Sequence, residues 1–213
     1  NNRDEICWMI SKYFWQKNFC KKLIQQNLEI FEGFIGPDIF YQSKPYLRIA
    51  RPNKERDNIG FHRDTMYGQT PFEVSIHVPL TKLNRNGCLK FYKGSHKLPD
   101  NNFTFERSTS EKIKKGSRTH EMGTPYAPKI ISETKQLRAM PLKVGEAAIF
   151  PPSTVHGQRV NKSKSTRVSF DFRIISRFAP VEIRKDLTSR GYNELSCSVV
   201  TQVADIYYSK NSN

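Results

Sequence analysis

A mainly β roll with flanking helices is the fold this sequence predicts, and three observations carry it. Residues alternate between apolar and polar through much of 46–176. Turn-forming residues interrupt that pattern at short intervals, at Asn53, Gly68, Asn86-Gly87, Gly94, Gly145 and Pro151-Pro152. The segments before residue 37 and after residue 180 lack this period. About eight short strands behind a helical segment describe a jelly roll, the double-stranded β-helix of the cupin type, whose mouth opens to a ligand. A chain of 213 residues is long enough to bury one full core, so one domain spanning 1–213 is expected.

The elements follow in order. Residues 1–36 form an N-terminal helical segment, because Ile6, Met9, Ile10, Tyr13 and Phe14 recur at helical spacing and Leu23, Ile24, Leu28 and Phe31 continue the stripe. Gly33 and Gly36-Pro37 end it. The aromatic stripe is expected to pack on a sheet. Strands are expected near 46–51, 59–64, 73–80, 88–93, 137–142, 147–150, 154–160 and 166–176. Residues 97–135 break the pattern with Pro99, Gly116, Gly123, Pro125 and Pro128 among several lysines. A stretch this long inside a compact roll reads as a lid or substrate loop. From 180 to 213 the chain is mixed. Its apolar run Val199, Val200, Val203, Ile206 and Tyr207 predicts a helix that packs on the roll or contacts a second copy, which makes a homodimer one expectation.

The net charge of +15 is high for a small-molecule enzyme. The lysines are spread along the chain without one dense basic block, so the charge reads as a solvated surface and disfavours nucleic acid as the partner. Cys7, Cys20, Cys88 and Cys197 lie far apart and form no CxxC pair, which predicts a reducing cytoplasmic setting and neither a disulfide framework nor a zinc site. No apolar run approaches the ~18 residues of a membrane span, and no secretory signal is visible, so no membrane insertion is expected.

The chemistry concentrates in a few positions. His62 and Asp64 are spaced i, i+2, so on a strand they share one face and can grip one ion. His156 can join them only through the fold. Two imidazoles and a carboxylate make the facial triad that holds non-haem Fe(II) with open positions. Arg167 and Ser169 repeat the i, i+2 spacing and offer a guanidinium fork and a hydroxyl on one face, suited to the carboxylate of a small co-substrate.

Taken together, these residues resemble the Fe(II)- and 2-oxoglutarate-dependent dioxygenases of the phytanoyl-CoA dioxygenase-like (PhyH-like) family. The resemblance runs roughly from Tyr46 to Arg173. It rests on Gly60-Phe61-His62-Arg63-Asp64, Val74 to Leu80, Asn86-Gly87-Cys88-Leu89, Gly94-Ser95-His96-Lys97, Val144-Gly145-Glu146, His156-Gly157 and Arg167-Val168-Ser169. Lys93 departs from the pattern, which usually has proline before Gly-Ser-His. The resemblance implies Fe(II) held by His62, Asp64 and His156, with 2-oxoglutarate and O2 as co-substrates. It also implies Arg167 and Ser169 on the distal carboxylate, and succinate and CO2 as co-products. With Asp64 present, hydroxylation is favoured over halogenation.

Candidate substrate contacts are Arg48, Arg51, Tyr67 and His77. Arg48 and Arg51 are cations near the expected mouth, Tyr67 follows the metal pair, and His77 sits in an alternating strand. Arg63 alternates with both ligands and is expected to point away from the metal, into a surface ion pair. The leading function is oxidation of a small, anionic or zwitterionic metabolite. The alternatives are a nucleic-acid-modifying dioxygenase and a non-catalytic cupin-like binding module. The last of these would need neither the triad nor the Arg-x-Ser pair.

Overall fold

The computed structural model describes residues 2–106, 129–132, 137–180 and 191–210. Three helices open the chain: α1 (Asn2–Gln16), α2 (Phe19–Gln25) and α3 (Leu28–Ile35). The sequence periodicity suggests one continuous helix here. It is interrupted because Asn18 takes the left-handed conformation (φ 52°), a conformation asparagine tolerates better than most residues. A second interruption falls at Asn27, whose backbone is non-helical.

Two antiparallel sheets follow and make a double-stranded β-helix. The major sheet contains β1 (Ile39–Gln42), β2 (Tyr46–Ala50), β4 (Glu73–Pro79), β9 (Ala148–Phe150), β11 (Arg167–Ser176) and β12 (Tyr192–Ser196). Its order is β12-β1-β11-β4-β9, with β2 also paired to β11. The minor sheet has the order β6-β7-β3-β10-β5-β8. Its members are β3 (Gly60–His62), β5 (Lys90–Tyr92), β6 (Phe105–Glu106), β7 (Lys129–Ile130), β8 (Leu137–Ala139) and β10 (His156–Gln158).

All eight expected strands are present, most of them shorter than the alternation suggested. Four more exist. β1 is buried almost throughout, so it carries no alternation to read. β6 and β7 have two residues each and arise inside the 97–135 stretch, where they extend the minor sheet from β3. That stretch is therefore not wholly a loop; residues 107–128 and 133–136, which include most of the expected lid, lie outside the described residues. β12 adds an edge strand to β1. Beyond it α4 (Val199–Lys210) forms as expected.

β11 divides the molecule. Its Val168, Phe170, Phe172 and Ile174 face the helices and join the main core with Phe14, Phe19, Cys20, Ile24 and Phe31. Phe170 is fully buried, with its ring 5.7 Å from Phe14, 5.2 Å from Phe19 and 6.0 Å from Phe172. The alternate positions Arg167, Ser169, Asp171 and Arg173 belong to the opposite face. The roll thus keeps its apolar surface toward α1–α3 and frees the inside for polar groups. Among the described residues no helix is long and apolar enough to cross a membrane.

Phe170→Ala should cost roughly 3–5 kcal/mol of stability, the range for truncating a buried phenylalanine where the surroundings relax incompletely. The expected readout is a lower urea midpoint at an unchanged m-value.

Candidate metal centre and co-substrate cavity

The candidate ligand residues are brought together by strand pairing. His62 ends β3 and lies directly opposite His156, the first residue of β10. The strand stops at His62, short of the expected residue 64, and a 3-10 turn begins at Asp64. Arg63 remains extended (φ −109°, ψ 142°), so the alternation still carries Asp64 to the side of His62. The Asp64 amide donates to Pro152 O at 2.8 Å, tying this turn to the loop before β10.

Each side chain is then oriented by its neighbours. His62 Nδ1 lies 3.1 Å from Gly60 O, and His156 Nδ1 lies 2.9 Å from Thr154 O. Both rings therefore use Nδ1–H on a carbonyl two residues back and leave the Nε2 lone pair forward. The two Nε2 atoms are 3.6 and 3.7 Å from Asp64 Oδ1. The other carboxylate oxygen is occupied: Ser75 Oγ donates to Oδ2 at 2.7 Å, and Arg173 Nη2 lies 3.0 Å from it. Burial would raise the Asp64 carboxyl, but Arg173, His156 and His62 outweigh burial and hold it well below the usual carboxylate range. Burial, with His62 adding to it, pushes His156 down to about 4, so its ring is neutral at pH 7. One ligand atom from each of His62, Asp64 and His156 lies within 4.8 Å of the others, all three residues are buried, and no other such cluster occurs among the described residues. Two neutral-capable imidazoles and one carboxylate oxygen, each with its second atom already bonded, fit a divalent non-haem metal.

Gly157 explains the His156-Gly157 pair. It has φ +149°, and a Cβ there would lie 1.9 Å from Gly60 O. The two ligand strands cross too closely for any side chain at this point.

The cavity beside these ligands has a volume of about 920 Å³. Its wall includes Arg167, whose Nη1 donates to Gln158 Oε1 at 2.7 Å and whose Nη2 is 3.4 Å from Asn58 Oδ1. No carboxylate pairs with this buried guanidinium among the described residues, and its Nε has no hydrogen-bond partner there. Burial lowers Arg167 to about 10, with Asp171 only partly opposing. Ser169 is fully buried, and its Oγ is likewise without a partner among the described residues. A desolvated cation and an unused hydroxyl at i, i+2 suit an anionic oxygen ligand.

His77 and Asp171 are register partners on β4 and β11, and His77 Nδ1 is 2.5 Å from Asp171 Oδ1. Arg48 Nε approaches the other oxygen of Asp171 at 3.2 Å. Burial would raise Asp171, but His77 and Arg48 prevail and hold it below the carboxylate range. His77 and Arg48 both line the cavity, and His77 Nε2 has no partner among the described residues.

The structure departs from the sequence expectation at Arg51 and Arg63, while the Tyr67 expectation lies outside the described residues. Arg51 does not line the cavity; its fork closes on Asp57 at 2.8 and 2.9 Å, because Asp57 lies six residues on in a tight 3-10 turn. Tyr67 ends the 3-10 turn after Asp64, and its side chain lies outside the described residues. Arg63 does point away from the ligands, but it is buried instead of exposed, with Nη2 donating to Ser95 O and Leu98 O at 2.6 Å each, and with Asp100 paired to Nη1. Sequence reasoning missed Arg173, Ser75 and Asp171. The one available signal was parity, since Asp171 and Arg173 continue the alternate positions of Arg167 and Ser169.

The chain belongs to the phytanoyl-CoA dioxygenase (PhyH) family, whose sequence model matches residues 16–169. No curated protein sequence matches it. Among solved structures it is similar to ThoJ, described as a non-heme monooxygenase, with 15% identity and a TM-score of 0.52, covering 79% of this chain and 54% of that one. It also resembles EvdO2 from Micromonospora carbonacea var. aurantiaca, solved with 2-oxoglutarate, at 19% identity and TM-score 0.48 over 68% and 54% of the two chains. A third is the epimerase SnoN, solved with Fe3+, alpha ketoglutarate and nogalamycin RO, at 19% identity and TM-score 0.43 over 65% and 50%. The chain spans about half the length of these structures. At such identities the likeness speaks for the fold alone.

Arg173→Met should destabilise the metal-free protein by about 3–5 kcal/mol, because it leaves the buried Asp64 carboxylate without its cation. Chemical denaturation in the presence of a chelator measures this.

Proposed function

We propose that this protein is an Fe(II)- and 2-oxoglutarate-dependent oxygenase that hydroxylates a small metabolite. The observation that carries the reading is the pairing of a converged His62, Asp64 and His156 set with a buried Arg167, which no carboxylate among the described residues pairs, on the wall of the same cavity. His62 Nε2, His156 Nε2 and Asp64 Oδ1 would hold the metal. Ser75 and Arg173 keep Asp64 Oδ2 engaged, so the carboxylate presents a single oxygen. When bound, Fe(II) with 2-oxoglutarate and O2 supplies oxidation of an unactivated C–H bond, with succinate and CO2 as co-products.

The remaining residues bind, orient and exclude water. Arg167 would take the distal carboxylate of 2-oxoglutarate, with Ser169 adding a hydroxyl donor and Gln158 fixing the guanidinium plane. Phe91 and Phe150 pack on His156, with ring centroids 5.8 and 4.6 Å away, and keep that side of the site dry. His77, held by Asp171, would present Nε2 to co-substrate or substrate. The cavity volume suits a small metabolite beside the co-substrate. Cations (Arg48, Arg56, Lys129) and anions (Glu55, Glu106) both line it, which supports a zwitterionic substrate more than a purely anionic one.

His156→Ala should abolish succinate formation while leaving the far-ultraviolet dichroism of the parent. Arg167→Lys should raise the KM for 2-oxoglutarate at least about tenfold, since a point charge cannot reproduce two parallel hydrogen bonds to a carboxylate, each worth roughly 1.5–3 kcal/mol. Screening metabolites for stimulated succinate release tests the substrate class. An unchanged KM, or succinate release without added Fe(II), overturns the reading.

A further inference from the structure

The Gly94-Ser95-His96 turn and Arg63 take no part in the chemistry above, yet both are tied to the ligand strands. We propose that Ser95, together with Arg63, is a positioning element that fixes the backbone beside His156 and between His62 and Asp64, and thereby sets the metal affinity of the site. This rests on the reading that His62, Asp64 and His156 hold the metal.

Ser95 is fully buried. Its Oγ donates to Tyr92 O at 2.7 Å within its own turn. The same oxygen accepts the Val155 amide at 2.8 Å. Val155 immediately precedes His156 and is itself fully buried. The backbone carbonyl of Ser95 accepts Nη2 of Arg63 at 2.6 Å, and Arg63 stands between His62 and Asp64. One residue is therefore bonded to the neighbour of His156 on one side and to the residue joining the other two ligands on the other. A serine that only closed its turn would stop at Tyr92 O. The bond to Val155 crosses 60 positions of sequence and lands beside a ligand.

Arg63 is locked in its turn. It also donates to Leu98 O, pairs with Asp100 and lies over the Phe103 ring at 4.7 Å. Gly94 opens this turn with φ +82°, a conformation glycine adopts without steric cost. Partners of this kind, one bond removed from the ligands, commonly change metal affinity 10–100-fold when lost. The clasp also gives the motif a role beyond that of a plain surface turn.

The test uses Co(II) as the probe, with affinity and ligand-field absorption measured in the full chain. Ser95→Ala removes the hydroxyl. Arg63→Lys keeps the charge but offers one nitrogen, so it cannot hold Ser95 O and Leu98 O from one nitrogen while pairing Asp100 from another, as the planar fork does. Ser11→Ala is the control, since Ser11 Oγ is also buried and also accepts a backbone amide, from Leu47 at 3.0 Å in the helical layer. Ser95→Ala and Arg63→Lys should each weaken Co(II) binding about tenfold or more and shift its ligand-field bands. Ser11→Ala should lose comparable thermal stability and bind Co(II) as the parent does. Parental affinity and spectrum in folded Ser95→Ala, or an equal loss of affinity in Ser11→Ala, overturns the proposal. Should Ser95→Ala not fold, Arg63→Lys decides on the same criterion. A parent chain that takes up no Co(II) overturns the metal-site reading and the clasp with it.

Discussion

The carboxylate of Asp64 is divided between two tasks, and the rest of the site depends on that division. Oδ1 faces the two imidazoles of the minor sheet, whereas Oδ2 is held by Ser75 and Arg173. Ser75 and Arg173 are register partners on β4 and β11 of the major sheet. A candidate ligand that directly follows a strand of one sheet is thus held in place by the other. Burying a lone carboxylate here would be prohibitive, and Arg173 offsets the cost while leaving one oxygen free. Remove that bond and the two halves of the roll no longer agree on where the third ligand stands.

β11 shows how one strand can serve two masters. Its outward phenylalanines take the load of the helical layer, and its inward residues form a graded polar wall. Arg167 and Ser169 come first, then Asp171 with His77 and Arg48, then Arg173 at Asp64. Asp171 would repel an anionic ligand from this wall were it not gripped on both oxygens. Arg48 offsets that charge, and Asp171 in turn fixes the orientation of the His77 ring.

The parts of this design that are local were legible in the sequence. The i, i+2 pairs could be read because a strand dictates which face each residue takes, and Arg63 shows that the extended backbone matters even where regular pairing has ended. The eight strands of alternating sequence were legible for the same reason. β1 was not, since burial on both faces erases alternation, and neither were the two-residue strands β6 and β7. The helical layer looked continuous because nothing in an apolar stripe announces that Asn18 will turn left-handed. Arg173, Ser75 and the burial of Arg63 escaped notice because their meaning lies in partners far along the chain. Arg51 was misplaced because a nearby aspartate, Asp57, captured it.

The crossing of Gly60 and Gly157 has a consequence for how such a protein can change. A side chain at Gly157 would collide with the opposite backbone, and that backbone leads directly to His62. No repacking of neighbouring side chains relieves a clash between a Cβ and a main-chain carbonyl. Tolerance to substitution is therefore uneven across the roll: a side chain on the cavity wall can be exchanged without moving a strand, while any residue but glycine at 157 must part β3 from β10. Such a change would displace His62 and His156 together.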